Sequence, residues 1–532
     1  MYTMQSKTVE SLLAKYEEYI KRTNEEESHA QKIHVDEIAS KVAAFYEKVR
    51  NVIDYREEHL LRKNTIERAL RRRIFLKDLG KKFAEPLIKE LIRSGHLPND
   101  SVPESKIPEI QKIIDNLIYL LERGTFASEQ EKETVSNWLI AISGSAIEEE
   151  LFPPAKDRIL AEVMFDTMRE NLEVRGAELD EQEMNVQLFI GVQRALFRPD
   201  DTQLQYRLLK FAYPNWGKLS EKDLVEIAPN LAALKHSLGS FLKHPLKNYF
   251  LRLCNKEKIV FLLLGDLVFG GRSSFAEASQ GRPFGENLEN ELKMVYDRRY
   301  KKAQAQLHRL ALLSVISFFI SKILVAVAVE IPLDHYLAHS FSLINTGINV
   351  VFPPFLMLVI VAFIRLPSKE NLFLITNEVK KLVFSEEPKK YAIVVPKKRG
   401  WITEILVRLA YFVTLVIVLF YLVQFLLLLK FSPASIVIFA LFTSMVIATG
   451  VRVNNRAKEM SLEKEKPSFW SFILDLIIVP FMAIGKWTIA GLSKFNIIVI
   501  AFNFLIELPL QLFVEFLENF RGFIKSKKEE TN

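Results

Sequence analysis

The chain has 532 residues, enough for two or three domains, and carries 71 Lys and Arg against 64 Asp and Glu, a formal charge of +7. Its single cysteine, Cys254, excludes an intramolecular disulfide framework and fits a reducing compartment. The start, MYTMQSKTVESLLAKYEEY, has no apolar core followed by a cleavage site, so no cleaved signal peptide is expected and membrane insertion falls to later segments.

Residues 1–305 read as a cytosolic helical region. Val35, Ile38, Val42, Phe45, Val49 and Ile53 recur at three- and four-residue steps and predict a helix over 34–62. Asn64 followed by Glu67 has the spacing of a capping box and predicts a new start. Further helices are predicted near 83–94, 106–123, 128–150, 154–175, 180–197, 200–212, 220–243 and 246–268, with Pro153, Pro199, Pro214 and Pro245 at their boundaries. Asp180 with Glu183 is a second capping pair. No sustained alternation calls for a sheet, so the fold class expected is all-α. Residues 260–268 are apolar but too short to cross a bilayer. The Gly- and Ser-rich stretch 269–286 reads as a loop; Gly270, Gly271, Arg272 and Ser273 lack the Gly-Lys-Ser/Thr ending that places a lysine on a phosphate.

The densest positive cluster of this region is Arg68, Arg71, Arg72 and Arg73, continued by Lys77, Lys81 and Lys82. Such a face either is solvated and laced with local ion pairs, or rests on anionic lipid or a partner surface, or touches nucleic acid. Glu67 and Asp78 nearby favour the first. No aromatic interleaving or nucleic-acid-binding pattern supports the last, so nucleic acid is not an expected partner.

Residues 306–469 read as a four-span membrane region, all-helical, with a cytosolic loop at 365–400. The spans are Leu310–Val329, Ile344–Ile364, Leu409–Leu429 and Ala434–Val451. Pro353 and Pro354 lie inside the second and predict a kink. Flanking charge alternates from basic (Arg298, Arg299, Lys301, Lys302, Arg309) to bare, to very basic over 365–399, to Lys430 alone, to basic again after Val451. The excess of Lys and Arg on one side places the N-terminus and the 365–400 loop in the cytoplasm and two short loops outside. Trp401, Tyr411 and Trp470 fall near the expected interfaces. Within the loop, Leu372, Ile375, Val379 and Leu382 form an apolar stripe that must cover either the bilayer surface or the cytosolic region, and 391–396 suits a short extended piece.

Residues 470–532 hold amphipathic or additional membrane helices and a basic cytosolic tail. Asp475 and Pro480 interrupt the first apolar stretch; Asn503, Glu507, Gln511, Glu515 and Glu518 line one face of the second. In-plane or re-entrant C-terminal helices are expected rather than a fifth and sixth span.

Lys322 is the sharpest functional signal, a lysine two-thirds of the way through the first span. It costs about 2.5–3.5 kcal/mol to insert, which the surrounding Leu, Ile, Val and Phe offset at about 0.3–0.6 kcal/mol each. Ser314, Ser317 and Ser321 mark a small polar side close to it, and the candidate counter-charges are Glu330, Asp475 and Glu507. It is either a structural ion pair, a snorkelled lysine, or part of an ion or proton relay. His335 and His339, beside Asp334, share a helical face as metal ligands do, without a third histidine or zincin motif. Ala440, Ser444 and Ala448 form a small-residue packing stripe, and Cys254 reads as an ordinary buried thiol.

NVVFPPFLMLVIVAFIRLP (349–367) and GLSKFNIIVIAFNFLIELPLQLFVEFLENF (491–520) resemble uncharacterised bacterial multi-pass membrane proteins with a long helical cytosolic region. That resemblance implies a bacterial cytoplasmic membrane and no particular activity, cofactor or site. The residues themselves show no catalytic motif and call for no cofactor. The expectation is a non-enzymatic, membrane-anchored scaffold that binds a protein partner at its cytosolic face, monomeric or homo-oligomeric. The alternative is a transporter or channel subunit using Lys322, Asp475 and Glu507.

Overall fold

The computed structural model describes residues 6–26, 31–35, 58–75, 82–213, 216, 219–270, 288–333, 335, 342–364, 367, 369–384, 389–396, 400–458, 461–462 and 469–495. The chain is mostly helical. It divides into two compact units, one of residues 1–296 with 372–396 and the other of 297–371 with 397–532. The first division falls within a single helix, Leu288–Val325, and not between elements.

In the first unit, the described helices are α1 (Lys7–Glu26), α2 (Glu58–Phe75), α3 (Ala84–Arg93), α4 (Lys106–Arg123), α5 (Glu129–Leu151) and α6 (Ala155–Arg169). They are followed by α7 (Glu181–Phe197), α8 (Asp201–Ala212), α9 (Glu221–Ile227), α10 (Leu231–Leu242) and α11 (Lys247–Phe269). The core gathers round α5, buried on all sides from Trp138 to Glu148. Its small residues allow close approach: a Cβ on Gly144 would lie 2.8 Å from Glu67 Cγ on α2. Ser128 starts α5 by accepting from the Glu131 amide, and Asp180, Asp200 and Ser220 start α7, α8 and α9 in the same way.

Several sequence expectations change here. Asn64 lies inside α2 and starts nothing; Glu67 turns instead to Lys63 at 2.9 Å. The predicted helix over 34–62 falls largely outside the described residues, and 58–62 belong to α2. The predicted 220–243 helix breaks into α9, a 3-10 turn at Ala228–Asn230 and α10, because Pro229 has no amide to donate. The predicted 154–175 helix ends at Arg169, and Leu172–Arg175 is a strand, β1.

That strand is a small departure from the all-α expectation in a chain that is mostly helical. It pairs in parallel with β2 (Tyr391–Val394), Leu172 opposite Tyr391 and Arg175 opposite Val394. The Tyr391 amide donates to Asn171 O at 2.9 Å and the Val395 amide to Arg175 O at 2.8 Å. Gly176 ends β1 at φ +86°, with Val395 O 2.4 Å from where a Cβ would stand, so only glycine fits. The helix before β2, α13 (Lys369–Phe384), buries Ile375, Val379, Leu382 and Val383. The apolar stripe of the 365–400 loop therefore covers the first unit. Ser6 seals its end, the amide donating to Val383 O at 3.0 Å and the hydroxyl to Leu382 O at 2.6 Å.

In the second unit, Leu288–Val325 continues through a π-helical segment, Ala326–Glu330. With it go α12 (Leu343–Ala362), α14 (Trp401–Leu428), α15 (Pro433–Ala457) and α16 (Phe469–Phe495). Among the described residues, four helices are long and apolar enough to cross a membrane: Leu288–Glu330, α12, α14 and α15. α15 is the central one, packed on both α12 and α16. Pro353 and Pro354 are buried inside α12. The small stripe of α15 receives Gly485 of α16, whose Cβ would lie 2.1 Å from Ser444 O and 2.8 Å from Ala448 Cβ. α16 runs through Asp475 and Pro480 as one helix, and 496–532 lie outside the described residues.

Candidate functional site

Glu330 lies eight positions beyond Lys322, and both are 0% exposed. A regular α-helix advances about 100° per residue, which would set them about 80° apart round the axis. The π segment holds an extra residue in its turn, so the eight count as about seven, or two full turns. Both side chains thereby share one face, and Lys322 Nζ donates to Glu330 Oε2 at 3.1 Å.

Two other helices converge on the same carboxylate. Ser435 Oγ, in the first turn of α15, donates to Glu330 Oε1 at 2.7 Å. Asn349 Nδ2, on α12, also donates to Oε1 and lies 3.4 Å from Ser435 O. Ser432 caps α15 by accepting from the Ser435 amide at 3.1 Å, which fixes where the Ser435 side chain begins. The Lys322 ammonium also stands 4.9 Å from the Phe442 ring centre, a cation–π distance. Asn349 Oδ1 is buried and has no hydrogen-bond partner among the described residues. The cluster thus joins Lys322, Glu330, Asn349, Ser435 and Phe442 into one charge-neutral knot among three apolar helices. Removing one charge would leave the other buried without its ionic partner.

The other residues singled out from the sequence lie elsewhere. Asp475 is exposed on α16, and Glu507 lies outside the described residues. Ser314 is buried and bonds back to Leu310 O at 2.8 Å, while Ser317 and Ser321 are half-buried. His335 is exposed and His339 lies outside the described residues. Among the described residues no group of three His, Cys, Asp or Glu is placed to hold a metal. Arg68, Arg71, Arg72 and Arg73 each meet a neighbour on the first unit. Arg68 donates to Thr65 at 3.1 Å, Arg71 to Asn137 and Arg72 to Glu90 at 2.6 Å, and Arg73 stacks 5.0 Å over Phe83. Cys254 is buried on α11 against Gly191 of α7, and burial together with Glu257 pushes its thiol pKa up, away from reactivity.

A second ionic cluster holds the loop in the first unit. Lys389 Nζ donates to Glu257 Oε2 of α11 at 2.6 Å and to Glu378 Oε2 at 2.8 Å, and Lys380 pairs with Glu289. Burial works against the Lys389 ammonium, but Glu257 and Glu378 outweigh it and raise its pKa. Burial likewise opposes the charge on Glu378, and Lys389 and Lys381 outweigh it and lower its pKa.

Asn349, Ser435 and Phe442 had no mark in the sequence beyond being a polar amide, a hydroxyl and a ring within apolar runs. Glu257 had none either, on a helix that carries five other charged side chains. The chain matches no protein-family model, no curated protein and no solved structure in comparison with them.

Proposed function

We propose that the protein is a non-enzymatic, multi-pass membrane anchor that presents its helical first unit to a protein partner on the cytoplasmic face. One observation carries this reading: residues 372–396, which follow the second apolar helix, are built into the same unit as residues 6–296. If the apolar helices cross a bilayer, the first two form a hairpin that begins and ends on one side. The Lys- and Arg-rich flanks of that side support the cytoplasm. The exposed apolar faces of α12 and α14, including Val351, Phe355, Leu409, Phe412 and Phe420, are then the surfaces that lipid covers. The knot at Lys322 ties the first apolar helix to α12 and α15.

The experiment uses the full chain, because residues 1–305 alone would lack α13 and β2 and would leave Glu257 without Lys389. In a Cys254→Ser background, an impermeant thiol reagent applied outside should label His335→Cys and miss Lys390→Cys. The full-length protein cross-linked in its own membrane should bring down one stoichiometric partner, while vesicles containing it move solutes at background rates. Reversed labelling overturns the orientation; solute flux without a partner overturns the anchor.

A transporter or channel subunit is the second reading. The convergence of Lys322, Glu330, Asn349 and Ser435 favours it. Asp475, exposed on α16, adds no support to it.

A further inference from the structure

We infer that Glu330 is a proton-exchange site, a carboxylate that takes up and gives back one proton inside the apolar bundle. The inference rests on these helices lying in a membrane but on neither partner binding nor solute flux.

Three features distinguish the knot from a permanent ion pair. First, two of the three groups on Glu330 are amphoteric. A hydroxyl donates or accepts, and a carboxamide presents an NH2 on one side and an oxygen on the other. A guanidinium in their place would have pinned the carboxylate in its charged form. Second, Asn349 is held only through Nδ2. Its Oδ1 is buried without a partner among the described residues, so none of them clamps the amide at its other end. A half-turn of the amide brings Oδ1 to face Glu330, which repels a carboxylate and accepts from a carboxylic acid. Third, Lys322 has a second resting place. When Glu330 is neutral, the Phe442 ring at 4.9 Å still faces the ammonium.

Among the described residues, the charges around Glu330 are few. On its own helix, among the described residues, Lys322 pairs with it. α12 carries no titratable side chain. On α15 the ionisable groups are Arg452 and Arg456, at least 17 residues beyond Ser435, which is about 25 Å along the helix. Uptake is taken as one event at the Glu330 carboxylate. A proton from water adds to a Glu330 oxygen, that O–H donates to Asn349 Oδ1, no electrons move, and the knot passes from neutral to a single positive charge on Lys322. Release reverses each step.

A hydrophobic carbodiimide tests this, since it couples only to protonated carboxyl groups in apolar surroundings. Full-length protein in vesicles is treated over a range of pH, and the peptide holding residue 330 is read by mass spectrometry. Labelling at Glu330 should rise as pH falls and vanish in Glu330→Gln. At a fixed pH, Lys322→Leu should raise it by about tenfold or more, because the charge that opposes protonation is gone. Phe442→Leu, a milder change, should lower it several-fold. Val327→Glu, at a position 62% exposed on the same helix, shows that the reagent reaches it. If Val327→Glu is labelled and Glu330 is unlabelled at every pH at which the protein stays folded, the pair is a fixed lock and the inference fails. Labelling of Glu330 that does not change with pH overturns it too. A chain that stays soluble without detergent instead removes the membrane reading on which the inference rests.

Discussion

Lys389 is the residue on which docking of the inter-helix loop turns, and Lys389→Met tests that. In the native protein its ammonium lies 2.6 Å from Glu257 and 2.8 Å from Glu378;. Glu257 is 3% exposed, so the methionine leaves a carboxylate with little access to water. Breaking a fully buried pair from one side costs about 3–5 kcal/mol. The Lys389 side chain is itself 31% exposed, so solvent screens part of this and about 2 kcal/mol is expected. That loss makes opening of β2 from β1 about 30-fold more frequent. Hydrogen exchange reads it directly at the Tyr391 and Val395 amides, which donate across to Asn171 O and Arg175 O. Glu257→Gln combined with Lys389→Met should recover more than half of the loss, because the stranded charge is gone. Unchanged exchange in Lys389→Met, or a double variant that opens as often as the single one, would refute the assignment of docking to this pair.

Thermal unfolding in detergent should show Lys322→Leu destabilised by about 3 kcal/mol, with most of that restored in Lys322→Leu/Glu330→Leu; equal losses in both would show that the knot is not a charge pair. Gly485→Leu should separate α15 from α16, since its Cβ would meet Ser444 O at 2.1 Å, and lower stability by about 1–3 kcal/mol in the same assay. Gly176→Val should loosen β2 at the same amides as Lys389→Met, because it meets both a φ of +86° and Val395 O. Loop docking should also depend on pH at two ends. Glu378, with its pKa lowered, contributes above the unfolded carboxylate value of about 4.3 and loses that contribution as pH falls through its folded value. Lys389, with its pKa raised, contributes below the unfolded lysine value of about 10.4 and loses it as pH rises through its folded value. Exchange at Tyr391 should therefore be protected between those limits once corrected for intrinsic rates, and a monotonic pH trend would contradict the ionic clamp.

The sequence by itself determined what short-range physics controls. Helical periodicity and prolines placed α3, α4, α5, α7, α8 and α11 within a residue or two, because apolar spacing and a missing amide act locally. Apolar length marked the four helices able to cross a membrane, and a lysine within one of them stood out because its cost there is large. Glu330 was legible as one of three candidate counter-charges; its selection over Asp475 was not, because it depends on a π segment that turns the helix by one extra residue. Asn349, Ser435 and Phe442 come from helices up to 120 residues from Lys322, since 442 less 322 is 120. No periodicity links such positions. The parallel pairing of Leu172–Arg175 with Tyr391–Val394 was hidden for the same reason. A four-residue strand has too little local preference to declare itself, and it exists because a distant segment supplies its hydrogen bonds. Tertiary structure alone decided which face the loop covers and which groups neutralise a buried charge, because both are settled by partners that the chain meets only when folded.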